Sequence, residues 1–315
     1  SLNFMFAINS RRDFREPHEE ENCRMDVCLF NCCATLLIVS SIGFMLFEII
    51  RGGWGKLSWE FLTGAPAEGM TAGGIFPAII GTVLLVLIMS VAAVPIGTIT
   101  AIYLSEYANR SSIFTKLIRF AVNTLAGVPA IVFGLFGLGF FVQFVGGGID
   151  KFISGDAQLH WGQPNILWAS LTMALLTLPV VIVSVEESLR AVPRDLREGS
   201  LALGATKFQT IVKVVLPNAY TGILTGTILA VGRGAGEVAP ILFTGVAYFL
   251  PHLPSSLSDQ FMQLGYHLYV MSTQSTDVEA TIGIQYATAL VLLALTFLLN
   301  LSAVFLRYRL RAKAI

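Results

Sequence analysis

The sequence predicts an all-α membrane protein with six transmembrane helices. Three observations predict it. Only 13% of the 315 residues are charged, against about 25% in soluble domains. Hydrophobic residues make up 55% of the chain, and its mean hydropathy is +0.72. Six apolar runs reach the roughly 20 residues that a bilayer crossing needs, with polar segments between them. The net charge of +0 argues against a basic nucleic-acid binder or an acidic solvating chain, and the apolar content argues against disorder. The 29 glycines follow no three-residue period and suit helices that pack closely in lipid.

Taken in order, residues 1–27 form a polar tail. The first run, 28–50, lacks a small-residue cleavage site and reads as a retained anchor rather than a removed signal peptide. The further spans are 76–104, 120–145, 166–185, 216–249 and 284–306, followed by a short tail at 307–315. The second and fifth are longer than one straight crossing, so tilt or a break is expected near Pro95 and Pro240. Cys23, Cys28, Cys32 and Cys33 surround the start of the first run in no metal or disulfide spacing and read as reduced thiols.

Lysine and arginine set the orientation. With the N-terminus inside, sixteen of them fall on inner segments: Arg11, Arg12, Arg15 and Arg24 in the tail, Arg110, Lys116 and Arg119 in the second-to-third loop, five in the fourth-to-fifth loop, and four after the last span. Three fall outside: Arg51, Lys56 and Lys151. Both termini are therefore expected in the cytoplasm. The outer loops are 51–75, 146–165 and 250–283. The last carries Asp259, Asp277 and Glu279 and an aromatic stretch, Phe261, Tyr266, His267 and Tyr269, expected along the membrane interface.

The connection 186–215 is longer than a turn needs and has helical logic of its own. Pro193 suits a helix start. Leu196, Gly199 and Leu203 follow one helix face. Gly204 suits a left-handed closing residue, and Thr206 with Gln209 makes a capping box for the next helix. Two readings stand: an element that passes force from an outside partner to the spans, or an ordinary amphipathic loop helix.

Glu198-Gly199-Ser200, then Gly204, then Val214, Leu216 and Pro217, resembles the EAA loop of ATP-binding-cassette importer permeases. Glu198, Gly204, Leu216 and Pro217 match in register. Gly199 and Ser200 stand where that family has two alanines, and Val214 where it has isoleucine. The resemblance implies a type I ABC importer permease-like fold with a cytoplasmic coupling helix between helices 4 and 5. It implies docking of Glu198, Gly199, Ser200, Leu203, Gly204 and Ala205 against a cytoplasmic ATPase subunit.

The fifth run holds a charged pair, Arg233 and Glu237, at i and i+4, expected to share a helix face. A central arginine costs roughly 2.5–3.5 kcal/mol in a membrane helix, so a partner or a wet cavity is expected. Gly232, Gly234 and Gly236 are expected to leave open space beside the pair. The guanidinium fork suits oxyanions, which makes an anion pathway one reading. A structural link between two helices is the other.

Arg233-Gly-Ala-Gly-Glu237-Val-Ala-Pro-Ile-Leu-Phe-Thr244 resembles the permeases of phosphate-specific ABC transporters, in particular the A-type subunit, and so do the stretches 125–137 and 266–274. The resemblance covers roughly residues 70–310. It implies that Arg233 and Glu237 lie on a phosphate path, with Asn123, Thr124 and Pro129 as further lining candidates or as core. It also implies partners: a second, similar permease chain, two ATP-binding-cassette ATPase subunits, a phosphate-binding protein on the outer side, and the lipid of a bacterial inner membrane.

No Gly-x4-Gly-Lys-Ser/Thr motif occurs, so ATP hydrolysis is expected on another chain. His18, His160, His252 and His267 show no metal-ligand spacing, no nucleophile elbow is present, and no cofactor is expected. Glu19-Glu20-Glu21 and Glu186-Glu187 read as solvated charge runs. Three functions compete: the permease subunit of an ATP-driven importer of phosphate or another oxyanion, a stand-alone secondary anion transporter, and an intramembrane enzyme. The second needs inverted repeats or several intramembrane carboxylates, and the third a nucleophile and base; neither set is found.

Overall fold

The computed structural model describes residues 17–67, 72–109, 111–154, 160–275 and 278–311. The readings placed on Arg11, Arg12, Arg15, Arg110, Asp277 and Lys313 lie outside them. Among the described residues, six helical stretches are long and apolar enough to cross a membrane: Cys28–Lys56, Phe76–Tyr107, Ala130–Ile153, Ile166–Arg190, Lys207–Gly236 and Thr281–Arg309. The protein is a multi-pass membrane protein. Contacts divide it into two units, Ser1–Gly52 and Gly53–Ile315. The first holds helix α1, Pro17–Gly53, in which Cys28, Cys32 and Cys33 are free thiols.

The second unit begins with a short helix α2, Trp59–Thr63, capped by Ser58, whose Oγ accepts the Phe61 N–H at 3.0 Å. A small antiparallel pair follows, β1 (Pro66–Ala67) with β2 (Ala72–Gly73). Helix α3, Phe76–Ile102, runs through Pro95 without a break. Pro95 brings no N–H to the Val91 carbonyl, and both residues sit on the exposed side, away from the packed core. The chain widens later, in a π-turn at Tyr103–Tyr107. The Ala108 N–H bonds Tyr103 O rather than Leu104 O, because the Leu104 carbonyl accepts the Arg119 guanidinium at 3.0 Å.

The third span starts later than expected. Helix α4, Ile113–Leu125, is a separate amphipathic helix with Thr115 and Val122 buried and Ile113, Phe114, Leu117 and Phe120 exposed. Helix α5, Ala130–Gly137, opens after Pro129 and continues through a π segment, Leu138–Gly146, into α6, Gly147–Ser154. Asp150 ends this stretch by accepting the N–H groups of His160, Trp161 and Gly162 at 2.6–2.9 Å. Helix α7, Ile166–Arg190, starts at Asn165, whose side chain accepts the Trp168 N–H. It is the hub of the core and packs on α3, α5 and the fifth span.

Helix α8, Arg194–Ala202, and helix α9, Lys207–Thr210, form the connection. A π-turn at Ile211–Val215 then leads into α10, Leu216–Gly236. The widened turn makes room for Pro217, which has no N–H and would crowd the carbonyl four residues back. The fifth helix ends at Gly236, well before residue 249. In a continued helix Pro240 would bring no N–H to the Gly236 carbonyl and would crowd it; the chain leaves at Glu237 and makes a single 3-10 turn, Ala239–Ile241, with Pro240 in its first turn. Helix α11, Leu264–Gln274, and the last helix, α12, Val278–Arg311, complete the unit.

The expected interfacial aromatic stretch is corrected by packing. Phe261 and His267 are buried, Phe261 with Leu85, Met89, Ile166 and Met173, and only Tyr269 of the four is exposed. Apolar side chains that α3 and α7 leave uncovered at the break are filled from this loop. Leu264 N–H bonds Thr82 Oγ1 at 3.0 Å, which pins the loop to α3.

Candidate functional site

Two places carry the polar groups that the sequence singles out. The first is the end of α10. Glu237 has left the helix in an extended conformation, φ −79° and ψ 134°. The expectation that it shares a helix face with Arg233 is therefore corrected. The two still meet, with Arg233 Nε 3.7 Å from Glu237 Oε1, beyond hydrogen-bond range. The side chains are 63% and 29% exposed, and Glu237 does not occupy the guanidinium fork. The carbonyl end of a helix carries partial negative charge, and an arginine in its last turn offsets that charge.

The walls of this break are specific. The carbonyl of Ala235, left free by the helix end, accepts Gln263 Nε2 at 3.4 Å. Gln263 Oε1 accepts the Tyr266 N–H at 2.6 Å and so caps α11. Asn165 N–H bonds Thr244 O at 2.9 Å and ties the far side of the break to the start of α7. Open space flanks only Gly236. A Cβ on Gly232 would meet Asn300, and one on Gly234 would meet Met89 and Thr177. Two of the three glycines thus serve close packing.

Pro129 stands exposed at the head of α5. That helix touches the break through Gly134, which lies against the backbone of Ala239 and Pro240. Asn123 and Thr124 are exposed near the end of α4. Among the described residues no hydrogen bond or ion pair joins them to Arg233 or Glu237. Gln263 was not legible as a site residue: a glutamine in a loop has no spacing signal.

The second place is α8 and its turn. Gly204 has φ +84°. Ala205 N–H bonds Ser200 O at 3.2 Å and Gly204 N–H bonds Leu201 O at 3.0 Å, the two bonds of a Schellman closure. The Thr206–Gln209 capping box forms as expected, and Ser200 Oγ lies 3.0 Å from Thr210 Oγ1 across the turn. α8 buries no residue of its own. Leu203 is 92% exposed, with Glu198, Gly199 and Gly204 exposed beside it and Ala205 half-buried. A Cβ on Gly199 or Gly204 would meet nothing within 4 Å.

Behind α8, Glu186 corrects the solvated-run reading. It is buried at 8% exposure and binds Arg119 at 2.7 Å and Arg190 at 2.6 Å. Arg197 Nη1 binds Glu106 at 2.6 Å and its Nη2 donates to Leu189 O, closing the end of α7. The i, i+4 spacing of Glu186 and Arg190 was the available signal. Arg119 and Glu106 lie far off in sequence and had none.

Residues 93–312 match the family described as binding-protein-dependent transport system inner membrane component. Among similar proteins, the "Probable ABC transporter permease protein YqgI" of Bacillus subtilis (strain 168) is 33% identical over 69% of this chain and 68% of its own length. The "Phosphate transport system permease protein PstA" of Pasteurella multocida (strain Pm70) is 35% identical over 65% of this chain and 67% of its own. "Phosphate transport system permease protein PstA 1" of Mycobacterium tuberculosis (strain CDC 1551 / Oshkosh) is 37% identical over 62% and 58%; this chain thus spans less than two thirds of that relative. A solved chain of a bacterial alginate ABC transporter, in complex with an alginate pentasaccharide-bound periplasmic protein, shares the fold with a TM-score of 0.65 at 15% identity, over 92% of this chain and 97% of that one.

Proposed function

Because the chain belongs to the family of binding-protein-dependent transport system inner membrane components, we propose that it is the permease subunit of an ATP-driven phosphate importer. One observation carries the reading: an open arginine fork, loosely countered by Glu237, at the broken end of a membrane helix, in a chain whose relatives include phosphate permeases. Arg233 attracts the oxyanion through charge-assisted hydrogen bonds. Glu237, too far to occupy the fork, keeps the site from holding the anion too tightly to release. Asn123, Thr124 and Pro129 are proposed to line the same path.

This chain supplies half of the pathway, and a second, similar permease chain supplies the other half. A binding protein delivers phosphate on the outer side. Two ATPase subunits bind on the inner side, where the exposed face of α8, with Glu198, Gly199, Ser200, Leu203, Gly204 and Ala205, docks into them. Their closure moves α8, and through the Arg197–Glu106 and Arg119–Glu186 links the movement reaches α3, α4 and α7. The path then opens alternately to each side. The lysine and arginine distribution supports a bacterial inner-membrane orientation with both termini cytoplasmic. ATP hydrolysis belongs to the partner subunits.

The test is ATP-dependent phosphate uptake by the complex reconstituted in vesicles with Arg233→Gln. Uptake should vanish while the subunits still co-purify. Uptake at the unaltered rate would take Arg233 out of the path.

A further inference from the structure

A cavity of about 320 Å³ lies where α7 gives way to α8, lined by Leu104, Ser105, Arg119, Arg190, Val192, Arg194 and Arg197. Four arginines from three helices face one space. Two carboxylates answer them: Glu186 holds Arg119 and Arg190, and Glu106 holds Arg197. Four guanidinium groups against two carboxylates leave two positive charges in excess. Arg194 makes no ion pair among the described residues. The buried Nε of Arg197 has no hydrogen-bond partner, although its two terminal nitrogens are used. The first turn of α8, with no side-chain cap at Pro193, adds free N–H groups at the same corner; its Asp195 offsets the partial positive charge of that end but does not line the cavity.

Arginines so placed repel one another, and a cluster held only by its ion pairs would have no reason to keep excess charge around a void. Arginine forks fit tetrahedral oxyanions by bidentate hydrogen bonds, better than lysine and better than a single-point anion. The excess of two charges accommodates the one or two negative charges of a phosphate group. The cavity also adjoins α4, whose Arg119 side faces it while Ile113, Phe114, Leu117 and Phe120 stay exposed on the other side. Such a helix lies in a membrane interface with its apolar face toward acyl chains. The same chemistry therefore has two sources: inorganic phosphate, or the phosphodiester of an anionic lipid headgroup.

We propose that this cavity binds a phosphate group, which ties α4, α7 and α8 together at the joint between span and connecting helix. The site is separate from Arg233 and does not depend on the transport reading. The test uses the full chain carrying Arg233→Gln, so that phosphate held near Arg233 does not contribute. In one arm, inorganic phosphate binding to the detergent-purified chain is followed by equilibrium dialysis. In the other, the chain in phosphatidylcholine nanodiscs containing phosphatidylglycerol is stripped with detergent, and the retained phosphatidylglycerol is counted by mass spectrometry. Adding Arg194→Gln, which breaks no ion pair, should weaken at least one of the two at least ~10-fold. Arg194→Lys, keeping the charge without the fork, should fall between, and it decides the matter where the glutamine variant does not purify. Loss in the first arm assigns free phosphate and loss in the second assigns the lipid. Binding of neither ligand, or binding that both variants leave unchanged, overturns the proposal.

Discussion

Replacing Gly226 by alanine tests how α10 is held against α7. A Cβ built on Gly226 would lie 2.1 Å from Ser184 Oγ and 2.3 Å from Ser184 Cβ. Rotating the serine removes the first clash but not the second, because Cβ is fixed by the backbone. Helix α10 or α7 must move. Overpacking of this kind costs typically 1–3 kcal/mol, offset by about 1 kcal/mol from the better helix propensity of alanine. The net expectation is a loss of about 0–2 kcal/mol. Ser184→Gly supplies the control. With its Cβ and Oγ gone, the nearest remaining atom is Ser184 Cα at 3.6 Å, an ordinary contact. The double variant should therefore be more stable than the sum of the two single changes by about 1–3 kcal/mol, since the propensity gain is common to both backgrounds and cancels. The assay is unfolding of the purified chain in mixed micelles, read as a double-mutant cycle. Simple additivity of the pair would refute the close approach of the two helices.

Four further expectations follow from the structure. Gly204→Ala places a side chain at φ +84° with no neighbour to strike, so its cost is the left-handed backbone alone, about 1–2 kcal/mol. In the assembled complex, Gly204→Trp should release the ATPase subunits, and full co-purification with full uptake would count against docking at this turn. Glu186→Gln leaves Arg119 and Arg190 without their carboxylate; since both arginines partly reach water, the loss should be about 2–3 kcal/mol, below the range for a fully buried pair. An unfolding midpoint equal to wild type would contradict it. His267, outside the six spans, is pushed down to about 4 by burial. Between its ordinary value of 6.5 and that one, the unfolded chain takes a proton that the folded chain does not. Stability should thus be unaffected by this residue above pH 7 and fall by about 3 kcal/mol as the pH drops from 6.5 to 4. His267→Asn should flatten that stretch of the midpoint-against-pH curve, and a curve parallel to wild type would refute it.

Local chemistry carried far in this protein. The six spans were legible because bilayer thickness demands long apolar runs. The turn after α8 was legible because the requirements of Gly204 and of the Thr206–Gln209 box are met within a few residues. The nearness of Arg233 and Glu237 was suggested by their spacing, but the shared helix face behind that expectation is absent, since Glu237 lies off the helix. What the sequence left open is what distant segments do to one another. The break after Gly236 is held in place because Gln263 answers the free Ala235 carbonyl and Thr244 O takes the Asn165 N–H. Glu186 is a buried link rather than a wet charge because Arg119, on another helix, reaches it. Gly232 and Gly234 are packing residues because Asn300 and Met89 stand against them. Short-range steric and hydrogen-bond rules act along the chain and can be read there. Which charge is buried, and which glycine is crowded, depends on neighbours brought close only when the helices pack.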